Sequence, residues 1–573
     1  METFTPPQQN ETPERILPTT PHLRYIKRTL SPLEQGDDET NWKNLNEKVA
    51  PWNSGLELAN NVRQVVREYV LSKLSSVKEK IPSIAELPDK EMLNALANGW
   101  FEELGDEIEG KRKEVLLSVM AHIIRKIETR IYKKTLESAG QGDLEKLGLS
   151  PEIRQLAIDS LDATVKADPL FIRFIAYSQL SPKAPEDTTT TSLIGPDKNS
   201  HTFAELFPHE TQFIQTKLAA LSENSAAWEN EPGANAFKNY VAILARFFGE
   251  KDTAQAAELH KEVLEAYNNS VLSDFPITII PPIEGYYKPP YIDPELRVVV
   301  RTKESKATEE GFRELQGSIS DGLGEFGIEK LSGQMKQKAI RSYIAIGSYG
   351  VNLTFVAAAQ SEPAIAMYLD EQVRAYDQNL KKFLQFVDVP EDTFAGAPPE
   401  TIEAFSRTDT TAHEISHGGY STVSPEAEKL GAEQSVVIAE TFAETLHRGM
   451  AQRLIENKVL PCNEEQYMAS SICMALQSIK DTDPSDEYYQ ADVFVLNGLF
   501  EQGIAEFDGQ KIHVNDRAAF FNYFKENAKK IIAVYEDPEM NPQKAKKWIT
   551  ENCTAGLKFQ KAIDYIKTVE FRD

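Results

Sequence analysis

His413-Glu414-Ile415-Ser416-His417 sets two imidazoles four residues apart, with a carboxylate directly after the first. On a helix, at about 100° per residue, positions i and i+4 are only about 40° out of line, so both rings leave one face. Two ligands of one tetrahedral ion need that arrangement, and zinc is the favoured metal. Glu414 falls beside the open coordination position, where a carboxylate can take a proton from a water on the ion. Two histidines so spaced can also line an ordinary helix face, so the motif needs support from elsewhere.

Support comes downstream. Glu440 and Glu444, in Ile438-Ala439-Glu440-Thr441-Phe442-Ala443-Glu444, repeat the one-turn spacing on a second apolar segment. Glu440 follows His417 by 23 residues, enough for a turn and a returning helix that delivers a third, anionic ligand. Carboxylates on an otherwise apolar helix are costly unless a cation meets them, and a metal would do so. His447 extends the same row, either as a partner to a ligand or as a rival ligand.

These residues need helices to carry them. The run from Pro399 to Ala412 reads as the helix leading into His413, and Tyr488 to Gly503 reads as a buried helix closed by glycine. Gly509 to Val514 follows as a short strand or hairpin, and the rest of the chain to Asp573 as amphipathic helix. Before the metal motif, an amphipathic helix is expected from about Pro363 to Phe386.

The first half is mostly helical by the same criteria. An apolar stripe from Leu56 to Leu74 follows an Asn53/Ser54 cap. Further helices are expected at about 89–108, 111–138, 150–166, 209–222, 234–248 and 252–268, with Ser150 as cap and Pro151 at the first helical position. Residues 181–201, with four successive threonines and several prolines, read as an exposed loop or linker. His122, His209 and His260 lie singly in this region and read as solvated or hydrogen-bonded histidines.

Two β-branched runs, Ile277 to Ile280 and Leu296 to Val300, predict a small sheet around a tyrosine- and proline-rich segment. That segment either packs as a turn or presents a phenol to a cleft. Gly322 to Gly327 spells GxGxxG but follows no buried strand, which makes it a weak dinucleotide signal, and it is set aside.

The composition excludes several classes of function. The 573 residues carry a net charge of −26, which argues against nucleic acid or an anionic membrane as partner and favours neutral or cationic ligands. No run approaches a membrane span and no signal peptide is evident, so a cytoplasmic protein is expected. Cys462, Cys473 and Cys553 fit neither a disulfide framework nor a thiolate zinc site.

The order of these motifs resembles the dipeptidyl peptidase III family of zinc exopeptidases, in its branch with a five-residue metal motif. Glu284-Gly285-Tyr286 looks like the family's Glu-x-Tyr segment, and Gly350-Val351-Asn352-Leu353 like its Gly-Ile-Asn-Ile/Leu segment. His413 to His417, Glu440 to Glu444, and the helix from Gln490 follow in the same order, over about residues 275–510. The resemblance implies one zinc ion per chain on His413, His417 and Glu440, with Glu414 as general base. It implies Tyr286 at the oxyanion, Glu284 on the substrate's amino terminus, Asn352 on the peptide backbone and Glu444 orienting a ligand. Tyr488 aligns with the family's transition-state histidine, a role a phenol can also fill by donating to a developing oxyanion. Asp492 stands where the family has a positive residue.

The expected fold is mostly α with a small β portion (α+β): a two-lobed, zincin-like metallopeptidase with a helical catalytic lobe and a wide interlobe cleft. A loose tail over 1–45, a mostly helical lobe with a small β core over 46–305 and a zinc-binding region over 306–573 are the expected divisions. The expected activity is release of dipeptides from the N-terminus of short peptides. A thimet-type oligoendopeptidase and a zinc-bearing peptide-binding protein with little turnover are the alternatives.

Overall fold

Ser150 accepts a hydrogen bond from Ile153 N at 3.2 Å, and Pro151 takes the first position of the helix that follows, as the sequence predicts. The computed structural model describes residues 45, 47–49, 52–80, 127–167, 170–171, 174, 177, 191–194, 199–283, 291–328, 339–349, 357–360, 365–369, 382–390, 393–394, 399–420 and 425–569. Residues 1–44 of the expected tail (1–45), the helix at 89–108, residues 111–126 of the helix at 111–138, His122, Glu284, Tyr286 and Asn352 lie outside the described residues. The fold is mostly α with a small β portion, and the chain divides into two compact units.

The first unit runs to Ser305 and takes back Tyr343–Thr354. Its main elements are α1 (Gly55–Lys80), α2 (Pro151–Ala163), β1 (Ser192–Ile194), β2 (Ser200–Thr202), α3 (Pro208–Glu223), α4 (Ala234–Gly249), α5 (Thr253–Leu272), β3 (Ile277–Ile280) and β4 (Leu296–Val300). Helix α4 shows why it docks: Phe237, Tyr240, Val241, Leu244 and Phe248 recur at helical spacing and are buried. The Tyr240 hydroxyl donates to the Ile279 carbonyl, so the one polar atom on that stripe is satisfied by the sheet. Strands β3 and β4 pair antiparallel, every residue buried, and β4 pairs in turn with the second half of β5 (Ala339–Tyr349).

Two expectations need correction. Within the stretch read as a loop, β1 and β2 pair antiparallel and Leu193 is fully buried, with Ser192 Oγ and Ser200 Oγ 2.6 Å apart. Three-residue strands are too short for periodicity to register. The helix expected from Pro363 begins instead with a strand, β7 (Ile365–Leu369), antiparallel to β6 (Ala357–Gln360), and the Leu384–Phe386 end is a 3₁₀ turn. A short apolar run fits strand or helix equally, and here the partner strand decides it. His209 is exposed, while His260 is buried with Nε2 2.8 Å from the Pro282 carbonyl.

The second unit covers Lys306–Ser342 and Phe355–Asp573, so the region read as 306–573 gives up Tyr343–Thr354, of which Ile344 to Tyr349 pair with β4. α6 (Lys303–Gly322) and a glycine-ended 3₁₀ turn occupy the GxGxxG stretch. After it come α7 (Pro399–Ser416), α8 (Ala432–Gly449), α9 (Glu464–Asp481), α10 (Glu487–Glu501), the β8–β9 hairpin (Ala505–Phe507, Ile512–Val514), α11 (Arg517–Glu536), α12 (Pro542–Asn552) and α13 (Leu557–Thr568). Helix α8 is central: it packs on α7, α10 and α11, with Ile438, Phe442 and Leu446 in one continuous core with Phe520, Phe524 and Ile531. Among the described residues no helix is long and apolar enough to cross a membrane.

Candidate metal centre

Helix α7 delivers the two histidines one turn apart. His417 lies just past its end, yet its N–H still reaches the His413 carbonyl at 3.3 Å, so the i, i+4 relation holds. The chain then turns back at once, with Gly418 N bonded to Ile415 O and Gly419 N to Ser416 O, each at 2.9 Å. Any Cβ at Gly419 would sit 2.7 Å from the Phe442 ring, so glycine lets this turn press onto α8. That contact brings Glu440 to the histidines.

The three donor atoms form a small triangle. His413 Nε2 and His417 Nε2 are 3.1 Å apart, and Glu440 Oε2 lies 3.3 Å from the first and 3.5 Å from the second. Donors at zinc distances of about 2.0–2.1 Å in tetrahedral geometry stand about 3.3 Å from one another. The triangle therefore has the size one such ion requires. Among the described residues, buried Glu440 Oε2 has only these two imidazole nitrogens beside it and no well-aligned hydrogen bond, a cost that a cation at the triangle's centre would remove. Among the described residues, this is the His/Cys/Asp/Glu group whose donors converge closely enough to hold a metal.

The charges agree with that. Burial raises the Glu440 carboxyl, but His417 and His413 outweigh it and hold the group well below the usual carboxylate range. Burial pulls the His413 imidazole down, while Glu440 and Glu414 pull it up, with a net upward shift. Glu414 is buried on α7 beside His413. The donor set is thus two imidazoles and one anion, which suits zinc among the common divalent ions.

Behind the triangle lies a buried polar layer. Glu444 Oε1 is 2.9 Å from His413 Nδ1, and the other oxygen of Glu444 pairs with Arg448. His447 is not a ligand: its Nδ1 faces the Ala443 carbonyl at 2.9 Å and its Nε2 faces Asp409 Oδ1 at 3.1 Å. Asp492 is buried, its carboxyl pushed up to about 7 by loss of water with partial relief from Arg448. Tyr488 stands exposed in the first turn of α10.

Sequence reading missed Asp409, Arg448 and Glu487. Asp409 extends the row of His413 and His417 one turn back, a signal that was available; Arg448 extends the row of Glu440 and Glu444 but reads as an ordinary surface pair. Glu487, next to Tyr488, is half-buried, and its carboxyl is raised by burial, with Asp486 and Glu440 adding to it. At a helix N-terminus an acid reads as a dipole partner, so its place near Glu440 was hidden.

No protein-family model matches the sequence, and no curated protein matches it. Among solved structures, the chain is similar to dipeptidyl-peptidase III from Corallococcus sp. strain EGB, with a TM-score of 0.50 and 15% identity over 67% of this chain and 72% of that one. It is also similar to DPP III from Caldithrix abyssi, with a TM-score of 0.48 and 14% identity over 77% of this chain and 87% of that one. At 15% identity the likeness to the Corallococcus protein is one of fold.

Proposed function

We propose that this chain, whose fold is similar to that of dipeptidyl peptidase III, is a zinc-dependent peptidase that releases dipeptides from the N-terminus of short oligopeptides. The observation that carries the reading is the triangle of His413 Nε2, His417 Nε2 and Glu440 Oε2, sized for a single tetrahedral ion. Those three residues would hold the zinc. Bound there, zinc supplies a lowered water pKa and polarises the scissile carbonyl.

The remaining work falls to the chain's own side chains. Glu414 takes the proton from the attacking water and returns it to the leaving amine, as a buried carboxylate adjacent to a ligand can do. By the motif resemblance, Glu284 holds the substrate's ammonium group, Tyr286 and Tyr488 donate to the developing oxyanion, and Asn352 binds the peptide backbone. An ammonium anchored at a fixed distance from the metal limits how far the peptide enters, which makes the enzyme an exopeptidase. The negative net charge suits that ammonium, short peptides are the partners, and the cytoplasm is the proposed compartment.

The test is incubation of zinc-loaded protein with free and N-acetylated oligopeptides, products being read by mass. Dipeptides from free amino termini alone are expected. Cleavage of the acetylated peptides would replace this reading with a thimet-type oligoendopeptidase, and binding without cleavage would reduce the protein to a peptide carrier.

A further inference from the structure

We infer that Arg448 is a positioning residue that sets the metal affinity of the site, acting through Glu444 on His413. The inference rests on the metal-site reading above and adds a residue to it. Arg448 is among the largest fully buried side chains of the protein, at 1% exposure. A guanidinium cannot shed its charge, so its burial requires partners. Among the described residues, Nη1 meets the Glu444 carboxylate and donates to the Glu444 carbonyl at 2.7 Å, and Nε donates to Ser471 Oγ on α9 at 3.0 Å.

The direction of influence follows from geometry. Arg448 holds one carboxylate oxygen of Glu444, and the other lies 2.9 Å from His413 Nδ1. A carboxylate at that nitrogen favours the proton there and leaves the lone pair on Nε2, which points to His417 and Glu440. Without Arg448 the Glu444 carboxylate loses its anchor and can swing away from Nδ1 or toward the ion itself. Ser471 fixes the guanidinium from a third helix, so α9, α8 and α7 are joined in one line ending at the site. Lysine cannot replace this, because one ammonium lacks the fork that serves both Ser471 and Glu444.

The test measures zinc affinity by competition with a chelator, alongside the melting temperature of the metal-free protein. Arg448→Met is expected to weaken zinc binding by about 10- to 100-fold, as loss of support for a ligand does. Activity should recover when zinc is raised to saturation. Glu444→Gln should show a similar loss, and the double variant should be no weaker than Glu444→Gln alone, because the two act in series. Unchanged affinity in Arg448→Met, or losses that multiply in the double variant, would overturn the proposal. If Arg448→Met does not fold, Ser471→Ala carries the test: weaker zinc binding supports the proposal and unchanged binding overturns it. Wild-type protein that takes up no divalent ion would overturn the metal site itself, a result distinct from tight uptake by wild type and variant alike.

Discussion

Asp409 Oδ1 lies 3.1 Å from His447 Nε2, both side chains buried, and this pair clasps α7 to α8 behind the candidate metal ligands. His447 is also held through Nδ1 by the Ala443 carbonyl, so its ring is fixed at both nitrogens. Burial alone would raise the Asp409 carboxyl, yet the neighbouring His447 brings it below its usual value. The clasp sets the register between the helix bearing His413 and the one bearing Glu440. Asp409→Ala leaves a buried imidazole without its carboxylate and is expected to cost about 3–5 kcal/mol. Denaturant unfolding checks this: the midpoint should fall with little change in slope. Replacing both residues with leucine should cost less than the single change.

Glu414→Gln tests the proton carrier. The substitution keeps the size of the side chain and leaves the metal donors untouched, so zinc content should equal that of wild type. Turnover should fall by about 10²–10⁴-fold, the usual range for loss of a general base. Equal turnover would remove Glu414 from the reaction.

Glu440→Ala should abolish stoichiometric zinc binding, because two neutral imidazoles without the anionic third donor are too few to retain the ion. In wild type, chelation should lower the melting temperature by several degrees, since an ion bound only to the folded state stabilises it by mass action. Glu440→Ala should show no such response to the chelator. Metal analysis and thermal melts read both outcomes.

Asp492 gives a pH-dependent prediction of defined sign. Burial pushes its carboxyl up to about 7, above the unfolded value of about 3.9. Between those values the folded state keeps a proton that the unfolded state has lost, so stability from this group falls as pH rises through about 4 to 7. Asp492→Asn removes that slope. The variant should match wild type near pH 4 and be more stable at pH 8, by on the order of 1–4 kcal/mol. Melts across that range would show it, and parallel curves would refute it.

The long helices and the convergence of the candidate ligands were readable because period and spacing express them directly. Ser150-Pro151 announced a helix start, and the apolar stripe of α4 announced its buried face. His413, His417 and Glu440 stood out because polar residues on apolar helices need a reason. What the sequence hid was decided by partners far along the chain. Ile365–Leu369 is a strand because Ala357–Gln360 lies beside it, and Arg448 matters because Ser471 and Glu444 meet it. Neither relation has a local signature.

The return of Tyr343–Thr354 to the first unit bears on any attempt to dissect the protein. Strand β4 pairs on one side with β3 and on the other with residues from beyond position 340, so a fragment stopping at Ser305 would be missing its own third strand. Its β-branched edge, Val298-Val299-Val300, would then be bare and ready to pair with another copy. Such a fragment should aggregate, and a soluble first half would have to be made by grafting the missing strand back through a new connection.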